Sequence, residues 1–466
     1  MTVPLDPSIG PGPESLSRLP GFWEATRFAL PLMIGLLTQA VTTLVDALFI
    51  GQLGTEPLAG VPVAAMVYII GWVTGAGVMR NAIAFAGRLH GGGNNSRVGE
   101  VVGQYQILAL CSLPLLLTWI QIWPWLTAQA QLSPAVVRHG WDYLSWRVWE
   151  IPISLTVVLY SSVYQAVGNS RLPMQAGLVI MSANVFLDYG LIFGHFGFPA
   201  LGVSGSALAT ALSQSLGAAY ILSRAHGGAL RETLNLRFLI KPRAALMKEL
   251  LRIGLPQGLG DGLEVAAWVG FTLIVGRLGS VALAAHNIGI QVTNLMFLPG
   301  YAFGLAAASY MGRFLGAGQP DLAGAASRRM VILGVSYMAL LGAPLWVLGE
   351  LLARQFSADP EVIRQAGLMF KVMALYQVFD GLGFITRTAL GGAGDTRVPA
   401  LQQLLAVLTI MYPAAWVLSS QVEPGLLGAW LGAWGYMAVL AGLMVMRLRG
   451  GHWRTVTLLR EQGSST

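Results

Sequence analysis

Apolar stretches of twenty or more residues, separated by short polar punctuation, make up nearly the whole chain. Coiled as an α-helix, such a stretch spans the ~30 Å hydrocarbon core of a bilayer. The apolar positions show no period-two alternation, so helices rather than a barrel are the spanning element. The pattern predicts twelve helices, over 22–50, 58–86, 98–122, 137–166, 172–195, 200–224, 250–277, 284–311, 325–349, 362–390, 398–420 and 425–446. The fold class that follows is an all-α polytopic membrane protein.

The pattern also occurs twice. Leu30–Gly99 matches Leu255–Gly324 at an offset of 225 residues, pairing Pro31 with Pro256, Gly35 with Gly260, Gly87-Arg88 with Gly312-Arg313, and Gly91 with Gly316. Further along, Gly168-Asn-Ser-Arg-Leu-Pro173 matches Gly394-Asp-Thr-Arg-Val-Pro399 at an offset of 226. The chain therefore reads as two homologous six-helix bundles. A polar tail (1–20) leads into the first lobe (21–224), a basic linker (225–249), the second lobe (250–446) and a basic tail (447–466). Two such bundles around a midplane cavity are a common plan of secondary transporters.

Composition and charge sharpen this picture. Hydrophobic residues form 55% of the chain and charged residues 11%, which excludes an ordinary soluble domain. The net charge of +7 resembles a nucleic-acid binder's, but its placement argues against one. Arg224, Arg231, Arg237, Lys241, Arg243, Lys248 and Arg252 surround the linker, and Arg447, Arg449, Arg454 and Arg460 follow the last helix. The loops after the first, fifth and eleventh helices carry no Lys or Arg. This bias puts both termini and the linker in the cytoplasm. The first twenty residues lack a basic n-region and an apolar core, so they read as a tail and not a cleaved signal. Cys111, the single cysteine, is expected to be a small core residue. Gly391-Gly-Ala-Gly394 has no following Lys and reads as a loop, so nothing points to ATP. No metalloprotease motif or serine elbow points to an enzyme, and no cofactor beyond a coupling ion is implied.

Ionisable residues inside apolar helices cost about 2.5–3.5 kcal/mol to insert and are functional candidates for that reason. Asp46 has no basic residue within two turns on its own helix, so it holds a proton, binds a cation, or is hydrogen-bonded by a neighbouring helix. Asn184 and Asp188 are four apart on one face, an arrangement suited to Na⁺ or a shared proton unless Asp188 lies at the interface. Ser206 and Thr210 offer hydroxyls, or bond back to their own helix. Glu264 lies eight residues after Pro256, with Asp261 on the same face as an expected first-turn acid. Tyr376 and Asp380 are again four apart, completing an ion site or bridging helices. Arg147 and Glu150 read as an interfacial ion pair, and His286 as a satisfied interhelical histidine. The repeat fails at the acids: Asp46 falls on Phe271, Glu264 on Gln39, Asp188 on Ala414 and Asp380 on Ser154. The scaffold is duplicated while the charge chemistry is not.

These residues carry a family resemblance. Val45-Asp46, Gly51-Gln-Leu-Gly54, Asn184-x-x-x-Asp188 before Gly202-Val-Ser-Gly205, Leu255-Pro256-x-Gly258 with Glu264, Ala284-Ala-His286, Leu375-Tyr376-Gln377-x-x-Asp380 and Gly394-Asp-Thr-Arg397 together resemble the multidrug and toxic-compound extrusion (MATE) family, NorM-type or DinF-type bacterial branch. The resemblance covers nearly the whole chain. It implies a twelve-helix, two-lobe antiporter of the bacterial inner membrane, monomeric, surrounded by lipid and without nucleic-acid partners. Such a protein exports small-molecule drugs, mainly organic cations and amphipathic compounds, against entry of H⁺ or Na⁺. Asp46, Asn184 and Asp188, with Thr210, match the family's first-lobe cation site; Glu264, Tyr376 and Asp380 match the second-lobe site, and either triad offers oxygens for Na⁺. The alternative within the same superfamily is a lipid or lipid-linked oligosaccharide flippase. It would need a basic cavity, for which the helices offer only Arg80, Arg387 and Lys371.

Overall fold

The computed structural model describes residues 18–227, 229–237 and 240–459. Its helices, in chain order, are α1 (Phe22–Gly51), α2 (Thr55–Arg80), α3 (Ala82–Gly91), α4 (Val98–Trp119), α5 (Trp123–Gln129), α6 (Pro134–Ala166), α7 (Arg171–Phe193) and α8 (Val203–His226). After the short α9 (Ala229–Leu234) come α10 (Ala244–Gly276), α11 (Ser280–Gly316), α12 (Pro320–Ala353), α13 (Pro360–Ala393), α14 (Arg397–Ala406), α15 (Tyr412–Gln421) and α16 (Gly425–Arg449). Three rods are built from two successive helices each: α2 with α3, α4 with α5, and α14 with α15 across a π-helical turn at Val407–Met411. That leaves the twelve rods the pattern predicts. Ten are long and apolar enough to cross a membrane. The other two, α6 and α8, are 33 and 24 residues long but carry more polar side chains.

Two large hydrophobic clusters lie in the two halves of the chain, with an exchange of residues between them. Ala25, Phe28, Ala29 and Leu32 of α1 lie in the hydrophobic cluster of the second lobe. Their repeat counterparts on α10 behave reciprocally, with Leu250 and Ile253 in the cluster of the first lobe. Each helix leaves the foreign lobe near a proline, Pro31 or Pro256, where a missing hydrogen bond lets it bend. Small residues set the remaining contacts between lobes. A Cβ on Gly77 would lie 2.6 Å from the Gly258 Cα, and one on Gly87 would lie 3.4 Å from the Gly312 Cα. Ser309 Oγ also donates to the Gln165 carbonyl at 2.5 Å across the lobes.

Three expectations need correction. The linker is shorter than 225–249, because residues 244–249 already belong to α10, which reaches the other lobe's core from Leu250 onward. Cys111 is exposed on α4 and is not a core residue. The C-terminal segment from 447 is not a free basic tail: α16 runs to Arg449, and the chain then folds back beneath the lobes. Trp453 is 2% exposed in the second-lobe core, while Leu458 is 3% exposed in the first-lobe core. Arg88 donates to the Val456 carbonyl at 2.6 Å and Arg252 to the Thr457 carbonyl at 3.0 Å. The polar N-terminal tail falls, up to residue 17, outside the described residues.

Candidate functional site

The first-lobe candidates converge. Asp46 on α1, Asn184 and Asp188 on α7 and Thr210 on α8 meet inside the lobe, with Asn184 and Asp188 fully buried and Asp46 half-buried. The four-residue spacing on α7 points both side chains at α1, as one helical turn should. The Asn184 amide satisfies its surroundings when its N–H group faces the acids, donating to Asp46 Oδ1 at 3.0 Å and to Asp188 Oδ2 at 3.1 Å. Its other terminal atom lies 3.4 Å from Thr210 Oγ1, and Thr210 itself donates to the Ser206 carbonyl at 3.0 Å. One amide, that of Asn184, thus faces both carboxyls. Asp188 Oδ1 is buried without a partner. Asp188 is therefore not an interfacial residue.

Beside this cluster sits an ion pair at the middle of α6. Arg147 binds Glu150, which is 1% exposed and also accepts from the Tyr68 hydroxyl at 3.1 Å. The Arg147 guanidinium lies 4.2 Å from the Tyr68 ring centre, a cation–π contact. This pair is deep in the lobe, which corrects the interfacial reading. It also brings a cation close enough to act electrostatically on Asp46, which the neighbours of Asp46 along the chain could not reveal.

The second-lobe candidates are arranged differently. Glu264 Oε2 accepts from Arg387 Nη2 at 2.7 Å and from Gln403 Nε2 at 3.3 Å. Arg387 Nη1 donates to Gln403 Oε1 at 2.8 Å and lies 3.2 Å from Asp261 Oδ1. Asp261 Oδ2 accepts from Arg80 Nη2 on α2, at 2.6 Å, across the lobe interface. Asp261 stands seventeen residues into α10, so it is an ion-paired mid-helix acid and not a first-turn acid. Tyr376 and Asp380 are buried nearby but, among the described residues, neither is hydrogen-bonded to Glu264. Tyr376 packs instead against Trp268 and Trp430, each with ring centres 6.0 Å away. The chain Arg80–Asp261–Arg387–Glu264–Gln403 thus places a tethered guanidinium between the acids.

Sequence reasoning named Arg80 and Arg387 only as stray cations and missed Gln403. One signal was available: Arg387 follows Asp380 by seven residues, two turns along the same face of an apolar helix. Gln403 precedes the π-helical turn, a feature that often marks working parts of helices. His286 is half satisfied: Thr272 Oγ1 lies 3.0 Å from its Nε2, while Nδ1 is buried without a partner.

Comparison with known proteins fits this architecture. The MatE family pattern matches residues 31–190 and 263–417. A probable multidrug resistance protein NorM of Thermotoga maritima is 28% identical over 451 residues, covering 94% of this chain and 95% of that protein. One from Burkholderia mallei is 31% identical over 446 residues, covering 93% of each. The crystal structure of the Vibrio cholerae MATE transporter VcmN in its bent form superposes with a TM-score of 0.82 at 21% identity, covering 94% of this chain and 97% of that one.

Proposed function

This chain belongs to the MatE family, and on that premise we propose that it is a multidrug efflux antiporter of the bacterial cytoplasmic membrane. It exports organic cations and amphipathic drugs in exchange for protons loaded on the Asp46–Asp188 pair. The names of its relatives support the multidrug cargo. The observation that carries the choice of ion is Arg387, whose guanidinium occupies the space between Glu264 and Asp261 in the second lobe. In the first lobe, two carboxyls facing one amide repel unless a proton or cation lies between them. A proton shared by the pair meets that need.

The second-lobe acids support the same reading from the other side. Their cation position is filled by Arg387, and Arg80 neutralises the outer oxygen of Asp261. In the cycle, the proton-loaded pair releases the drug outward; the lobes then rock, the proton leaves, and the bare carboxylate attracts the next cationic drug. The flippase reading loses ground because Arg80 and Arg387 are both matched by acids and Lys371 is exposed.

The test is expression in a drug-sensitive bacterium. Tolerance to cationic dyes should rise with the wild-type chain and not with Asp46→Asn or Asp188→Asn. A change in envelope assembly with no change in drug tolerance would overturn the proposal.

A further inference from the structure

At the far end of the first lobe, a cavity of about 300 Å³ opens between α1, α6 and α8, lined by Leu53, His139, Asp142, Gly202, Val203 and Ser204. His139 and Asp142 are three apart on α6 and so share a helical face. The floor of the cavity is apolar. Ile50, Val61 and Val203, each less than a tenth exposed, form a separate small cluster packed by Leu53 and Tyr143. Leu53 and Val203 belong to both the lining and the floor.

Asp46 and Thr210 of the acid cluster lie further along two of the same helices. Ile50 follows Asp46 by one turn of α1, Tyr143 precedes Arg147 by one turn of α6, and Val203 precedes Thr210 by two turns of α8. Four to seven residues of helix correspond to roughly 6–10 Å. The apolar layer is therefore one or two side chains thick.

We propose that this cavity is an aqueous vestibule for the coupling ion and that Ile50, Val61 and Val203 form an apolar gate between it and the Asp46–Asn184–Asp188 cluster. Asp142, beside His139, concentrates cations at the mouth, since an acid in a confined cleft focuses its field there. The gate passes an ion only when it wets, as apolar constrictions do. Ion and drug then have separate doorways: the ion descends within the first lobe, and the drug moves between the lobes. For the ion's destination, the inference rests on the coupling proposed above.

Thiol accessibility tests the route without relying on transport. In a Cys111→Ser background, Ser204→Cys reports on the vestibule and Ser206→Cys on the space beneath the gate. The probe is a membrane-impermeant methanethiosulfonate bearing a trimethylammonium group, applied to right-side-out vesicles. Ser204→Cys should react and Ser206→Cys should be protected. Adding Ile50→Ala, or separately Val61→Ala, should speed labelling of Ser206→Cys by about tenfold or more as the gate wets. Two independent openings keep the test alive if one variant folds poorly, as judged by size-exclusion profile. An unreactive Ser204→Cys, fast labelling of Ser206→Cys behind an intact gate, or protection that survives both gate truncations would each overturn the proposal. If labelling behaves as expected but transport ignores the proton gradient, the route stands and the coupling proposal falls.

Discussion

Gly91 of the first lobe seats on the backbone of Arg313 in the second, and a Cβ at Gly91 would overlap the Arg313 carbonyl. The repeat makes the contact reciprocal: Gly316, the counterpart of Gly91, seats on the carbonyl of Arg88, the counterpart of Arg313. The internal duplication is therefore a physical pseudo-two-fold axis, with matched residues from each half touching across it. Because the overlap is with backbone, no side chain can turn aside to relieve it.

Gly91→Ala should force the lobes apart at the linker end at a cost of about 1–3 kcal/mol, the usual penalty of overpacking. A thermal-shift assay should show a lower Tm, and Gly316→Ala should lower it similarly. A Tm equal to that of wild type in both would mean that the crossing does not hold the lobes together.

Asp46→Asn should abolish drug efflux while leaving the fold intact, because an amide can accept the Asn184 hydrogen bond but cannot cycle a proton. Normal efflux with this variant in the same tolerance assay, at equal membrane abundance, would show that the first-lobe pair is not the engine.

Arg387→Ala should unmask a Na⁺ site that the wild type lacks, since it removes the guanidinium lying between Glu264 and Asp261. Ligand binding to the folded state alone stabilises it, by about 2.7 kcal/mol at a hundredfold excess over Kd. Added Na⁺, compared with added K⁺, should raise the Tm of the variant and not that of the wild type. A wild-type Tm that climbs with Na⁺ would contradict the view that Arg387 fills the site.

Trp453→Ala should cost about 3–5 kcal/mol where it acts, as large core truncations do, and should release the C-terminal segment first. Limited proteolysis should cut after Arg454 in the variant well before it cuts the wild type. Its indole N–H, which donates to the Leu448 carbonyl at 2.7 Å, is lost as well.

The parts of this fold legible in the sequence are those encoded locally. Apolar run length gave the rods, the matching of Pro31 with Pro256 and of Gly87 with Gly312 gave the two lobes, and the spacing of Asn184 and Asp188 gave one half of the acid cluster. What escaped depends on partners distant along the chain. Glu264 and Arg387 are 123 positions apart, and Arg147 approaches Asp46 from another helix. The C-terminal segment looked like a basic tail because its arginines outnumber Trp453 and Leu458, the two side chains that anchor it. Linker residues 244–249 looked loop-like because α10 begins before its apolar run does.

The central claim is that the first lobe runs the exchange on protons. Its most direct test is uptake of a fluorescent organic cation into inside-out membrane vesicles, driven separately by an acidic lumen and by a Na⁺-loaded lumen. Uptake should occur with the acidic lumen alone, be lost in Asp46→Asn and be retained in Glu264→Gln. Uptake that requires Na⁺ and disappears in Glu264→Gln would contradict it and move the engine to the second lobe.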